Sequence, residues 1–188
     1  MTFRSFKEIN CMDVGFVVLC PDRNISGLKN SIGSINHNSY NRESIAVVGD
    51  DANIDDIKEF KQVCTTYKGK NTITSLINLG MKKINHEWAL IMFGGSRIQP
   101  YTERKISQFA KTEKDILFPV IEKRYDFISS SLNGVVINTK FFREIGDFPE
   151  ISMFKEGLND FEMAKLFWCA DAMQRKAIFK GIVGIRIT

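Results

Sequence analysis

The residues best placed for chemistry stand where apolar runs stop. Trp88-Ala89-Leu90-Ile91-Met92-Phe93 is a buried-strand pattern that breaks into Gly94-Gly95-Ser96-Arg97, with Pro100 soon after. In α/β proteins the loop leaving the carboxyl end of a strand is where ligands bind. Two upstream runs break in the same way. Val14-Gly15-Phe16-Val17-Val18-Leu19-Cys20 is stopped by Pro21-Asp22, with Asn24 close behind, and Ser44-Ile45-Ala46-Val47-Val48 runs into Gly49-Asp50-Asp51. A further acidic position, Asp160, opens the last long helical pattern. The formal charge of +4 (26 basic minus 22 acidic residues) favours an anionic small molecule such as a phosphorylated ligand.

Other chemistries are excluded by type and spacing. Gly69-Lys70-Asn71-Thr72 ends like a phosphate-binding P-loop, but Cys64 stands where the earlier glycine belongs and Asn71 replaces the hydroxyl residue. Cys11, Cys20, Cys64 and Cys169 form no C-x-x-C pair, and His37 and His86 are isolated, so no zinc site is expected. Cys20 and Cys64 read as free buried thiols of a reducing compartment. The basic residues from Lys111 to Arg124 are interrupted by Glu113, Asp115 and Glu122, which describes a solvated face rather than a nucleic-acid surface.

The elements that must position these residues alternate between strand and helix, the pattern of an α/β fold. After the first strand, Ser26 is placed to cap a helix with Leu28, Ile32 and Ile35 on one face. After the second, Asn53 is placed to cap a helix whose apolar face is Ile54, Ile57, Phe60, Cys64 and Tyr67. Ile73, Leu76, Ile77, Gly80, Met81 and Ile84 make the cleanest amphipathic stripe. The strand Trp88–Phe93 follows, then a helix from about Tyr101 to Ala110. Strands are expected at Ile116–Val120 and Gly134–Asn138, and Thr139 is placed to cap a short helix closed by Gly146. Asp147–Gly157 reads as loop. A helix from Asn159 to about Met173, apolar on nearly every side, is expected to be buried, and Ala177–Ile187 is a final strand.

With 188 residues, 44% hydrophobic and 11% aromatic, residues 1–188 are expected to form one domain with a sizeable core. The first residues lack a signal-peptide core, and Val14–Cys20 is too short to span a bilayer. A soluble, cytoplasmic protein is the expectation, with no membrane segment and no nucleic-acid partner.

Several pieces, in order, resemble the nucleotide-sugar transferase fold of GT-A type, in particular the family-two inverting glycosyltransferases. Val17-Val18-Leu19-Cys20-Pro21 with Asn24, Leu28 and Ser31-Ile32-Gly33-Ser34-Ile35 resembles the opening strand, loop and helix. Val47-Val48-Gly49-Asp50-Asp51 resembles the acidic nucleotide-binding turn, and Asn78-Leu79-Gly80-Met81 with Trp88–Met92 the helix and strand before the metal motif. Phe142-Arg143-Glu144-Ile145-Gly146-Asp147-Phe148-Pro149-Glu150 is the most specific piece. Asn159-Asp160-Phe161-Glu162-Met163-Ala164 resembles the start of the helix that carries the catalytic base. The set runs from Val14 to about Gly184.

The resemblance implies a GT-A-like, mixed and mostly parallel sheet with helices on both faces. It implies transfer of a sugar from a nucleoside diphosphate sugar to an acceptor hydroxyl with inversion; the acceptor is not indicated. Asp50 or Asp51 would accept a hydrogen bond from the ring N–H of the base, with Pro21, Asp22 and Asn24 as the facing wall; the same acids equally suit a turn before a helix. Asp160 matches the catalytic base, and also suits a helix N-terminus on its own account. The family's D-x-D falls on Phe93-Gly94-Gly95, so manganese or magnesium lacks its usual ligands. N–H groups of Gly94, Gly95 and Ser96 would then cradle the phosphates, with Arg97 or Lys70 supplying charge. The alternative is a catalytically silent GT-A-like module that binds a nucleotide, a sugar or a protein. A nucleotidyltransferase ranks last, because Pro21–Gly27 is poor in glycine.

Overall fold

The computed structural model describes residues 13–21, 25–39, 44–49, 64–70, 72–110, 115–119, 133–150, 160–174 and 179–182. Along the chain these form β1 (Val14–Cys20), α1 (Ile25–Asn38), β2 (Ser44–Gly49), β3 (Thr65–Gly69), α2 (Ile73–Lys83), β4 (Trp88–Phe93) and α3 (Thr102–Ala110). They continue with β5 (Ile116–Pro119), β6 (Val136–Asn138), α4 (Thr139–Ile145), α5 (Asp160–Gln174) and β7 (Phe179–Ile182). The strands make one sheet in the order β3-β2-β1-β4-β6-β5-β7. β1 pairs in parallel with β2 and β4, β2 with β3, and β5 with β7, while β6 runs antiparallel between β4 and β5. The mixed, mostly parallel sheet expected from the sequence is what forms.

β1 is central and every one of its residues is buried, because helices cover both faces of the sheet. Val14, Phe16, Val18 and Cys20 join Leu28, Ile32 and Ile35 of α1 and Ile106 of α3 in one core. Val17 and Leu19 point the other way, into a core made with Leu76, Ile77 and Met81 of α2, Phe141 and Phe142 of α4, and Trp168 of α5. α2 lies very close to the sheet: a Cβ built on Gly80 would come within 2.4 Å of Val17 Cγ1.

Four expectations are corrected. Cys64 and Tyr67 do not lie on a helix: Cys64 precedes β3 and Tyr67 is within it. Thr65-Thr66-Tyr67 is β-branched and aromatic, and the apparent helical spacing with Ile54–Phe60 was a coincidence of register; Asn53 and residues 54–60 lie outside the described residues. α1 already includes Ile25, so Ser26 sits within its first turn instead of capping it. Asn138, not Thr139, caps α4, accepting from the N–H of Phe141 at 3.0 Å, while the Thr139 hydroxyl donates to the carbonyl of His86. At its carboxyl end α5 is buried on one side only: Lys165, Trp168, Cys169 and Ala172 are enclosed, but Met173 is 52% exposed, and the side chains of Phe161, Met163, Ala164, Leu166 and Phe167 lie outside the described ones. Cys20, Cys64 and Cys169 are buried and form no disulfide among the described residues.

Candidate functional site

Parallel pairing sets where the strand ends fall. Cys20 is level with Val48, Leu19 with Phe93, and Gly49 with Gly69. The chain therefore leaves β1, β2, β3 and β4 along one edge of the sheet. Of the residues expected to form the site, Pro21 is half-buried at the end of β1. Asp22, Asn24, Asp50 and Asp51 lie outside the described residues, the last two directly after the end of β2.

The loop after β4 is held by side chains of α1. Gly94 donates its N–H to the carbonyl of Leu19 at 2.7 Å, Gly95 to the hydroxyl of Ser31 at 3.0 Å, and Ser96 to the carbonyl of Phe93 at 3.0 Å. The last bond closes a turn in which Gly95, at φ +99°, occupies the position that demands a left-handed backbone. The Ser96 hydroxyl, nearly enclosed, accepts from Asn133, whose carbonyl in turn accepts the N–H of Phe93. Further along, Ser34 and Ile98 exchange two bonds through the Ser34 hydroxyl, Asn38 donates to the carbonyl of Ile98, and the Ser39 hydroxyl donates to the buried carboxylate of Glu103. The segment thus runs down along α1, away from the edge.

These bonds change the chemistry available. In this arrangement the N–H groups of Gly94, Gly95 and Ser96, expected to cradle phosphates, each meet a protein acceptor. What remains on this loop is Arg97, which is exposed and forms no ion pair among the described residues. Lys70, just past β3, is paired at 3.3 Å with Glu150 across an exposed surface. Phe93, Gly94 and Gly95 bring no ligating side chain, and no group of three or more His, Cys, Asp or Glu among the described residues could hold a metal.

Ser31, Ser34, Asn78 and Asn133 were not singled out for these roles in the sequence. Their signal was small polar residues on otherwise apolar faces, Ser31 and Ser34 three apart on α1 and Asn78 within the stripe of α2.

The segment after α4 explains the most specific piece of the sequence. Gly146, at φ +103°, ends α4. Asp147 then pairs with Lys82, Phe148 exchanges two 2.9 Å bonds with the Asn78 side chain, and Glu150 reaches Lys70. α2 starts just after β3 at the edge described above and ends just before β4 at the opposite one. Residues 147–150 therefore climb along α2 to the edge where β1–β4 end. α5 comes back the other way, finishing five residues before Phe179, which is level with Ile116 at the start of β5. Trp168 stacks on Phe148 with ring centroids 4.6 Å apart and donates its N–H to the carbonyl of Gly146 at 2.9 Å. Asp160, the first residue of α5, precedes Trp168 by eight residues, or about 12 Å of helix, on the side of the edge where β1–β4 end.

The chain matches no family model, and no curated protein matches it by sequence. Its fold does have solved counterparts. A crystal structure of S. aureus TarS, residues 1–349, superposes with a TM-score of 0.64 at 13% identity, covering 94% of this chain and 59% of that one. The same protein in complex with UDP gives 0.63 at 10% identity, over 94% and 59%. The mannosyltransferase PcManGT from Pyrobaculum calidifontis, in complex with GDP-Man and Mn2+, gives 0.67 at 10% identity, over 92% and 55%. The chain spans a little over half the length of these solved structures. Its fold is GT-A-like. No helix among the described residues is long and apolar enough to cross a membrane.

Proposed function

We propose that this chain is a glycosyltransferase, or the donor-binding part of one, that moves a sugar from a nucleoside diphosphate sugar to an acceptor hydroxyl with inversion and without a metal. The observation that carries the reading is the shared edge: four parallel strands end there, and residues 147–150 bring the chain back to it before α5. On this reading the nucleotide lies across the ends of β1 and β2. Asp50 or Asp51 accepts from the base, and Pro21, Asp22 and Asn24 form the facing wall, with Gly94, Gly95 and Ser96 as the floor beneath the sugar diphosphate. The carboxylate of Asp160 takes the proton of the acceptor hydroxyl. The acceptor oxygen bonds to the anomeric carbon from the face opposite the diphosphate, the carbon–oxygen bond to the diphosphate breaks, and its electron pair leaves on the phosphate oxygen. Arg97, and Lys70 if it leaves Glu150, supplies the positive charge that stabilises that leaving group.

A second reading has its own support. The spent N–H groups of the Gly94–Ser96 turn and the lack of ligating side chains at Phe93–Gly95 also fit a module that binds a nucleotide sugar without turning it over. A thermal-stability screen against uridine, guanosine, cytidine and thymidine diphosphate sugars, with and without chelator, tests both, because a ligand that binds the native state raises its stability. Transfer requires a stabilising donor, a shift that survives chelation, and product formation that Asp160→Asn lowers by about 10²- to 10⁴-fold while donor binding persists. A stabilising donor with no product identifies the silent module. No stabilisation by any donor defeats both readings.

A further inference from the structure

Residues 147–150 and α5 are joined more tightly than a connecting loop requires. Phe148, Phe142 and Trp168 are each at most 2% exposed. The Trp168 ring lies nearly flat on Phe148, at an interplanar angle of 15°, and close to Phe142 at 5.8 Å, and it meets Phe141 edge-on at 6.4 Å. Two kinds of restraint act at different points. The aromatic stack opposes separation of α5 from the sheet, but flat rings slide over one another at little cost. The bond from Trp168 Nε1 to the Gly146 carbonyl is directional and opposes that sliding. Gly146 and Phe148 are themselves fixed, Phe148 by both its N–H and its carbonyl on Asn78 of α2. α2 in turn is fixed in depth by Gly80 against Val17.

We propose that Asn78 and Trp168 are positioning residues that set how far α5, and with it its first residue Asp160, projects toward the edge where β1–β4 end. The chain of contacts runs Val17–Gly80 of the sheet and α2, Asn78 to Phe148, Gly146 to Trp168, and up two turns of α5 to Asp160. The inference rests on the reading of Asp160 as base. It goes beyond it by naming why the Phe142–Glu150 segment carries a glycine, a phenylalanine and neighbouring charges: it is a strap, tied at Lys82, Asn78 and Lys70, against which the helix is gauged. A proton acceptor displaced by an ångström loses much of its rate while the donor site, built on β1, β2 and β4, is untouched.

Trp168→Phe is the discriminating variant, since it keeps the stacked ring and removes only the Nε1–H. Two readouts are taken on the full chain: amide hydrogen exchange, and transfer kinetics with the donor found in the screen. The expected result is faster exchange in the first two turns of α5, residues 160–166, with α2 and β1 unchanged. In the kinetics, kcat falls by about tenfold or more at unchanged donor KM. Asn78→Asp, which can accept from Phe148 but not donate to it, gives the same pattern, and Met173→Ala on the exposed side of α5 alters neither readout. Unchanged exchange at residues 160–166 in Trp168→Phe overturns the proposal, whatever the activity. So does a fall in kcat no larger than the loss of folded protein measured by circular dichroism on the same samples. A wild-type chain that transfers nothing removes the catalytic half of the proposal together with the function proposed above, and the exchange data still decide whether the strap sets the helix.

Discussion

The N–H of Gly95 ends on the hydroxyl of Ser31, 3.0 Å away and fully buried on α1. One side chain of a helix thereby fixes the turn that opens from β4, and it does so by taking up the N–H of Gly95. Of the two glycines at this turn, only Gly95 has a backbone that requires glycine.

Gly95→Ala places a Cβ on a left-handed backbone and is expected to cost about 1–2 kcal/mol. Gly94→Ala meets its nearest atoms, the Leu19 carbonyl oxygen and the Leu28 nitrogen, at an ordinary 3.5 Å, and is expected to stay within about 0.5 kcal/mol of wild type. Urea denaturation of the two variants checks the difference; equal costs would mean that the turn does not impose its conformation on Gly95.

Gly80 is a packing position. A methyl group there would sit 2.4 Å from Val17 Cγ1 and 3.2 Å from Val47 Cγ2, and both valines are fully buried. Overpacking of this kind costs about 1–3 kcal/mol, so Gly80→Ala should lower the denaturation midpoint well beyond Gly94→Ala. A neutral Gly80→Ala would show that α2 can back away from the sheet, and would weaken the depth argument for α5.

Arg97 and Lys70 should differ as donor-binding cations. Removing a charged hydrogen-bonding partner from an anion costs about 1.5–3 kcal/mol, so Arg97→Ala is expected to weaken nucleotide-sugar binding by roughly tenfold or more. Lys70→Ala should do less, because Lys70 is already engaged with Glu150. Titration calorimetry at two salt concentrations checks the ranking. Equal affinities for Arg97→Ala and wild type would remove Arg97 from the site.

Burial pushes the Cys169 thiol up from 9.0 to about 11, against the opposing pull of Lys165, and burial raises that of Cys64 as well. The folded chain holds these protons after the unfolded chain has released them. Stability should therefore be unaffected below pH 9 and fall as the pH rises from 9 to about 11. Denaturation midpoints across that range should fall less steeply for Cys169→Ala than for wild type. Parallel profiles would show that Cys169 does not contribute.

By itself the sequence determined the layers. Continuous apolar runs such as Val14–Cys20 and Trp88–Phe93 mark strands buried on both faces, as in a sheet covered by helices on either side, and the stripe from Ile73 to Ile84 has the helical period, so local pattern sufficed. It also located the shared edge, since glycines, a proline and acids end those runs. Only the tertiary structure decided how the edge is used. Whether the N–H of Gly95 meets a phosphate or Ser31 depends on two segments 64 residues apart in sequence. The placement of β3, whose Tyr67 mimicked a helical period, depends on pairing with β2. The Phe142–Glu150 piece could be recognised as a signature but not as a strap, because its partners Lys82, Asn78 and Trp168 come from other elements. Local periodicity records which face of an element is buried; it carries no record of which distant polar group will satisfy a given donor, and that choice settles the chemistry of the site.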